Sequence, residues 1–107
     1  MSQRQEKIEE TIRHAAATFI EESSNRDALI TVTGIMLSGD ERRAKILITV
    51  LPENKEKGVI SFLNRKRSEF FGALKEKLRV ARLPSIEFFI DEGEKNRQKI
   101  DGLLARG

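Results

Sequence analysis

The sequence predicts an α+β fold in which helices cover one face of a three-stranded sheet. Three observations predict it. Apolar residues between 8 and 20 recur at helical spacing. Two β-branched runs, near 29–33 and 44–51, flank a turn signal. A third alternating run begins at Ile86, after a second helical region ended by Pro84.

Ile8, Ile12, Ala15, Ala16, Phe19 and Ile20 form one stripe of an amphipathic helix, read as 3–22. Ser2 is its candidate N-cap, and Ser23-Ser24-Asn25 ends it, since these side chains compete for backbone hydrogen bonds. Leu29 to Thr33 reads as a strand. Gly34 then changes the alternation, so a bulge or bend is expected there. Ser38-Gly39-Asp40 is a turn, and Ala44, Ile46, Ile48 and Val50 alternate along a second strand that hairpins back on the first.

Pro52-Glu53-Asn54 breaks that strand. Val59, Ile60, Phe62 and Leu63 supply a helical face, and Phe70, Phe71, Leu74 and Leu78 supply another. The polar residues 64–69 between them are too many for one continuous buried stripe, so a kink is expected near Arg67-Ser68, with Ser68 as N-cap of the second helix. Ile86, Phe88 and Ile90 mark a third strand, and Ile100, Leu103 and Leu104 mark the apolar edge of a short C-terminal helix. Three strands cannot bury a core alone, so helices must cover the sheet. The order α-β-β-α-α-β, plus the last helix, is that of a type II KH-like domain.

A chain of 107 residues suggests a single domain over 1–107. Such a chain buries roughly two-thirds of its unfolded surface. No cysteine is present, which excludes a disulfide scaffold, a thiolate metal site and a cysteine nucleophile. No apolar run approaches the roughly 18 residues that span a bilayer. Met1 to Lys7 is not followed by a signal-like apolar stretch, so a cytoplasmic location is expected.

The net charge of +3 is unevenly spread. Residues 53–83 carry nine basic and four acidic side chains, whereas 1–27 and 84–107 are each net negative. Arg65-Lys66-Arg67 is the densest cluster, with Lys75, Lys77, Arg79 and Arg82 downstream. A solvated helix face would look like this, and so would a phosphate-binding surface.

Catalytic constellations are not evident. His14 has no second histidine to join it, and Glu9-Glu10 and Glu21-Glu22 read as solvated helix residues. Asp91 reads as the N-cap of the last helix. No metal site and no cofactor are expected. Phe19, Phe62, Phe70 and Phe88 fit core positions, whereas Phe71 and Phe89 are out of phase. With no Tyr or Trp, a single-strand binder based on stacking is not expected, and binding through shape and phosphates fits better. The seven glycines never form G-x-x-G, the loop with which ordinary KH domains clamp an RNA backbone. The basic triplet occupies the equivalent position between the two central helices.

The motifs Leu29-Ile30-Thr31-Val32-Thr33, then Ser38-Gly39-Asp40, then Ala44-Lys45-Ile46, and later Pro84 to Asp91, resemble in order and spacing the ribosome-binding factor A family of bacterial assembly factors. The resemblance implies a noncatalytic factor. It implies binding to the small ribosomal subunit and its 16S rRNA precursor, and help in late maturation at the 5′ end. Lys66, Arg67 and Ser68 stand where the family has its A-x-G kink, and Glu22 to Arg26 replace a K-D-P-R turn. Ala81 stands where the family has an arginine, and few residues follow Leu104. The candidate rRNA contacts are Arg42, Arg43 and Lys45 on the hairpin, with Arg65, Lys66, Arg67, Lys75, Arg79 and Arg82 on the central helices. A monomer is expected. The alternatives are a KH-like binder of another RNA, or a protein–protein adaptor with a basic helix face.

Overall fold

The computed structural model describes residues 3–24 and 26–106. Ser2 and Asn25, expected at the two ends of the first helix, lie outside them. The elements are α1 (Gln3–Ser23), β1 (Leu29–Leu37), β2 (Arg43–Leu51), a 3-10 turn (Glu53–Lys55), α2 (Glu56–Arg65), α3 (Arg67–Lys77), β3 (Ser85–Ile90) and α4 (Glu92–Arg106). The sheet order is β1-β2-β3, with β1 antiparallel and β3 parallel to the central β2. A parallel neighbour demands a crossover, and α2 and α3 supply it. This is the α+β, three-stranded, KH-like arrangement expected from the element order.

The six apolar residues expected on α1 are the six it buries. They pack against Ala44, Ile46, Ile48 and Val50 on β2, together with Ile86 and Phe88 on β3. Phe70 of α3 sits between Phe19 and Phe88, with ring centroids 5.3 and 5.8 Å away. Tilted and edge-on rings at this spacing gain quadrupole attraction beyond their burial.

β1 runs past Gly34 to Leu37 because a bulge takes up one residue. The register steps from Val32↔Ile48 to Gly34↔Leu47, leaving Thr33 outside the ladder. Ile30 and Val32 before the bulge, and Ile35 and Leu37 after it, therefore all pack against the core. Without the extra residue the second pair would face away.

The helix break falls at Lys66, one residue before the expected kink. Its amide still reaches the Phe62 and Leu63 carbonyls, and its own carbonyl accepts from Phe70. Lys66 has φ −93° and ψ 8°, so no left-handed residue, and hence no glycine, is required at the joint. Ser68 lies within the first turn of α3 and caps nothing; the capping position is Lys66, without a side-chain bond.

α4 is longer than the short helix expected, because the polar residues from Glu92 onward are helical too. Asp91 nucleates it: Oδ1 accepts from the Glu94 amide at 3.0 Å, and Oδ2 accepts from the Thr33 hydroxyl at 2.6 Å. The Thr33 hydroxyl, then the α4 amides, hold the Asp91 carboxyl below its ordinary range. Arg97 bridges Glu94 and Asp101 on the outer face. Lys95 reaches back to Glu53 at 2.9 Å and Glu56 at 3.0 Å, and the two carboxylates hold its ammonium well above its ordinary range. Whereas α1, α2 and α3 share one face of the sheet, α4 lies beside Thr31 and Thr49 of the opposite face. Its Ile100, Leu103 and Leu104 are exposed. No described helix is long and apolar enough to cross a membrane.

Candidate nucleic-acid interface

The candidate cations approach β3 from two sides, the α2–α3 joint at its open edge and the β1–β2 turn on the side of β2. The first is the joint between α2 and α3. Asn64, in the last turn of α2, turns its amide onto β3: Nδ2 donates to the Phe88 carbonyl at 3.3 Å, and the Phe88 amide donates to Oδ1 at 3.0 Å. This pins the end of α2, and with it Arg65, Lys66 and Arg67, to the middle of the strand. Arg67 folds back so that its Nε donates to the Asn64 carbonyl at 3.0 Å. Lys66 pairs with Glu69 at 3.3 Å, and its ammonium lies 5.8 Å from the Phe62 ring centroid. Arg65 and Arg67 are exposed.

The second direction is the β1–β2 turn. Ser38 and Asp40 organise it. The Ser38 hydroxyl donates to Asp40 at 2.6 Å and accepts from the Arg42 and Arg43 amides at 3.2 and 3.0 Å. Asp40 also accepts from the Arg42 amide, and these bonds, the Ser38 hydroxyl first, lower its carboxyl below the ordinary range. Glu41 takes a positive φ of 60°. Its carboxylate is held by Arg4 at 3.0 Å. The Ser85 amide donates to the Arg42 carbonyl at 2.9 Å, which sets the turn against the start of β3 and the loop carrying Arg82. Ser85 and Phe88 are three residues apart, so the two anchor points stand about 10 Å apart along the strand.

Not every candidate joins these two clusters. Lys45 and, by the alternation of β2, Arg43 project from the sheet face away from α1–α3, and the Lys45 ammonium lies 5.2 Å from the Phe89 ring centroid. Lys75 is exposed in the last turn of α3, whereas Arg79 and Arg82, expected on the central helices, lie in the loop after it because α3 ends at Lys77, and no ion pair ties Lys75 or Arg79 to either cluster. Two residues are not legible as site residues in the sequence. Asn64 looks like one polar residue in a polar gap, and only the fold sets it against β3. Lys57 falls within the positive segment, and its spacing to Ser61 and Asn64 puts it on the α2 face that lines a groove along β3.

Ion pairing is sparser in the positive segment than on α1 and α4. Outside the positive segment, Arg4, Arg13, His14, Lys95, Arg97 and Lys99 all face carboxylates. Inside it, Lys66 alone does so among the described residues. The unpaired cations leave the segment with a net positive charge. Phosphate is the ligand such a surface attracts. Among the described residues no group of three or more His, Asp or Glu is placed to hold a metal ion.

The chain is similar to known proteins in sequence and in fold. The family model described as Ribosome-binding factor A matches residues 4–104. The chain is 31% identical to the ribosome-binding factor A of Chelativorans sp. (strain BNC1), over 96% of this chain and 81% of that protein. It is 27% identical to that of Coxiella burnetii (strain CbuG_Q212), over 99% of this chain and 91% of that protein. Its fold is similar to the crystal structure of ribosome-binding factor A from Thermus thermophilus, with a TM-score of 0.69 and 27% identity, covering 78% of this chain and 92% of that one. It is also similar to coordinates of the Thermus factor fitted into a cryo-EM map of its complex with 30S, with a TM-score of 0.67 and 27% identity over 78% of this chain and 90% of that one.

Proposed function

The chain belongs to the ribosome-binding factor A family, and from that premise we propose that it binds the small ribosomal subunit as an assembly factor through 16S rRNA phosphates. The observation that carries the reading is the pair of cation clusters flanking β3, one at the α2–α3 joint and one at the β1–β2 turn. A phosphate backbone crossing this end of the sheet meets Arg65 and Arg67 beside the open edge of β3, and Arg42 and Arg82 beside its start. Arg43, Lys45, Lys75 and Arg79 stand outside this path and contribute by general attraction.

In an ordinary KH domain, backbone amides of a glycine loop grip the phosphates. Here the helix joint has no such loop, and charged side chains take over the contact. That exchange makes binding more dependent on salt. The factor acts by binding, not by catalysis. It holds precursor 16S rRNA while the 5′ end matures and leaves the finished subunit. It acts in the cytoplasm, as a monomeric single domain over residues 1–107.

Sedimentation through sucrose with cell lysate tests this. The wild-type chain is expected to travel with free small subunits. Reversing Arg65, Lys66 and Arg67 to Glu is expected to leave the circular dichroism spectrum native and abolish that association at moderate salt. Every phosphate that the variant no longer neutralises should flatten the log–log salt slope by nearly one unit. Wild-type behaviour of the triple variant would move the rRNA contact to the hairpin. Association that survives nuclease treatment of the particles would favour a protein partner.

A further inference from the structure

Gly58 and Phe62 on α2, and Lys66 just past its end, stand at i, i+4 and i+8 on the side away from the β3 groove. Gly58 has no positive φ, and a Cβ there would meet nothing within 4 Å. Neither backbone conformation nor crowding calls for glycine, although glycine weakens a helix relative to alanine. What it does is leave a space. A cavity of about 330 Å³ opens beside it, walled by Ala28, Ile30, Val59 and the half-buried Phe62. Its polar lining is Ser23, Ser24, Asp27, Asn54 and Lys55, one carboxylate and one ammonium among them. Among the described residues the Ser23 hydroxyl and the Asn54 amide make no hydrogen bond, and Lys55 makes no ion pair.

Resting on the RNA-binding reading above, we propose that this cavity takes one unpaired nucleobase of the bound RNA, stacked on the Phe62 ring, with its flanking phosphates against Lys55 and Lys66. The volume is at the small end of ligand cavities, suited to one flat ring system and too small for a helix or strand. The Phe62 ring carries the Lys66 ammonium over one face at 5.8 Å, and an aromatic ring beside a cation suits a π-system joined to phosphate. The free hydroxyl and amide match the donors and acceptors of a base edge. An aliphatic side chain from a protein partner would fill the same space and leave both polar groups unmatched. The site adds one stacked base to a surface that otherwise reads only backbone charge.

The test uses the full chain and ribo-pentanucleotides of each of the four bases, followed by NMR at the Gly58 amide and the Phe62 ring. At least one pentanucleotide should shift both signals, with the ring protons moving upfield, while an abasic ribose-phosphate oligomer of equal length leaves the ring unmoved. Gly58→Leu fills the cavity with a better helix former. It should erase the Phe62 response and weaken binding of that pentanucleotide about tenfold, the size of one stacked base. Phe62→Leu keeps apolar volume, removes the aromatic face, and should show the same loss. A Phe62 ring silent to all four pentanucleotides, an equal response to the abasic oligomer, or wild-type affinity in both variants overturns the proposal. Sedimentation with small subunits separates the two readings. A chain that sediments while Phe62 stays silent retains the subunit assignment and loses the base site. A chain that does not sediment, yet shifts Phe62 with base-bearing RNA only, retains the base site and loses the subunit assignment.

Discussion

The side-chain amide of Asn64 makes both of its hydrogen bonds to one residue, donating to the Phe88 carbonyl and accepting from the Phe88 amide. It acts as a one-residue substitute for a fourth strand, satisfying β3 at its open edge and fixing where α2 ends. Asn64→Ala should leave two backbone groups unpaired in a half-buried place. The expected cost is about 2 kcal/mol, with faster hydrogen exchange at the Phe88 amide. For a domain of this size that lowers Tm by roughly 8–16 °C. An unchanged melting temperature would show that water replaces the amide at no cost.

Phe88 is 1% exposed and meets Phe70 edge-on, whereas Phe89 lies on the opposite sheet face under Lys45. Phe88→Ala should therefore cost about 3–5 kcal/mol. Phe89→Ala should cost clearly less, because its ring is partly solvated. Denaturant unfolding of the two variants should rank them in that order, and equal losses would show the second sheet face to be as well packed as the first.

Ser68 sits in the first turn of α3, exposed, with its hydroxyl capping nothing. Ser68→Ala should be neutral or slightly stabilising. Ser68→Gly should be worse than alanine by about 0.5–1 kcal/mol, because glycine loses more backbone freedom in a helix. A cap residue would give the opposite order, since there glycine costs less than alanine. Thermal melts of the two variants decide between these orders.

Asp91 ties β1 to the start of α4 through Thr33 and the Glu94 amide. Its carboxyl is lowered from 3.8 in the folded chain, chiefly by the Thr33 hydroxyl. A carboxyl that is more acidic when folded stabilises the fold at every pH above its unfolded value. That contribution fades as pH falls below about 4 and is gone once the folded group is protonated. Asp91→Asn should therefore lower Tm at pH 7 and flatten the fall in Tm between pH 5 and pH 2. A variant whose acid limb parallels that of the wild type would assign the acid sensitivity to other carboxylates.

Periodicity alone determined the element order and most of the core. The α1 stripe, the alternation of β2 and the inward phase of Phe88 depend on local geometry that any helix or strand imposes. They were legible because one face of each element is buried. The segment holding the positive excess was legible for a simpler reason, since charge is additive along a chain.

Tertiary structure decided the rest. Thr33 leaves the ladder only because Ile35 and Leu37 must meet the same helices as Ile30 and Val32. The helices part at Lys66 because Asn64 is held by a strand 24 residues away. Phe62 fits a core stripe in one dimension, yet lines a cavity because no side chain fills the position one turn before it. Whether a cation is free depends on which carboxylate folding brings near it. Lys95 and Arg65 look alike in the chain, but Glu53 and Glu56 reach the first and no described carboxylate pairs with the second. Spacing sets which face a side chain takes, and only packing of distant segments sets what that face meets.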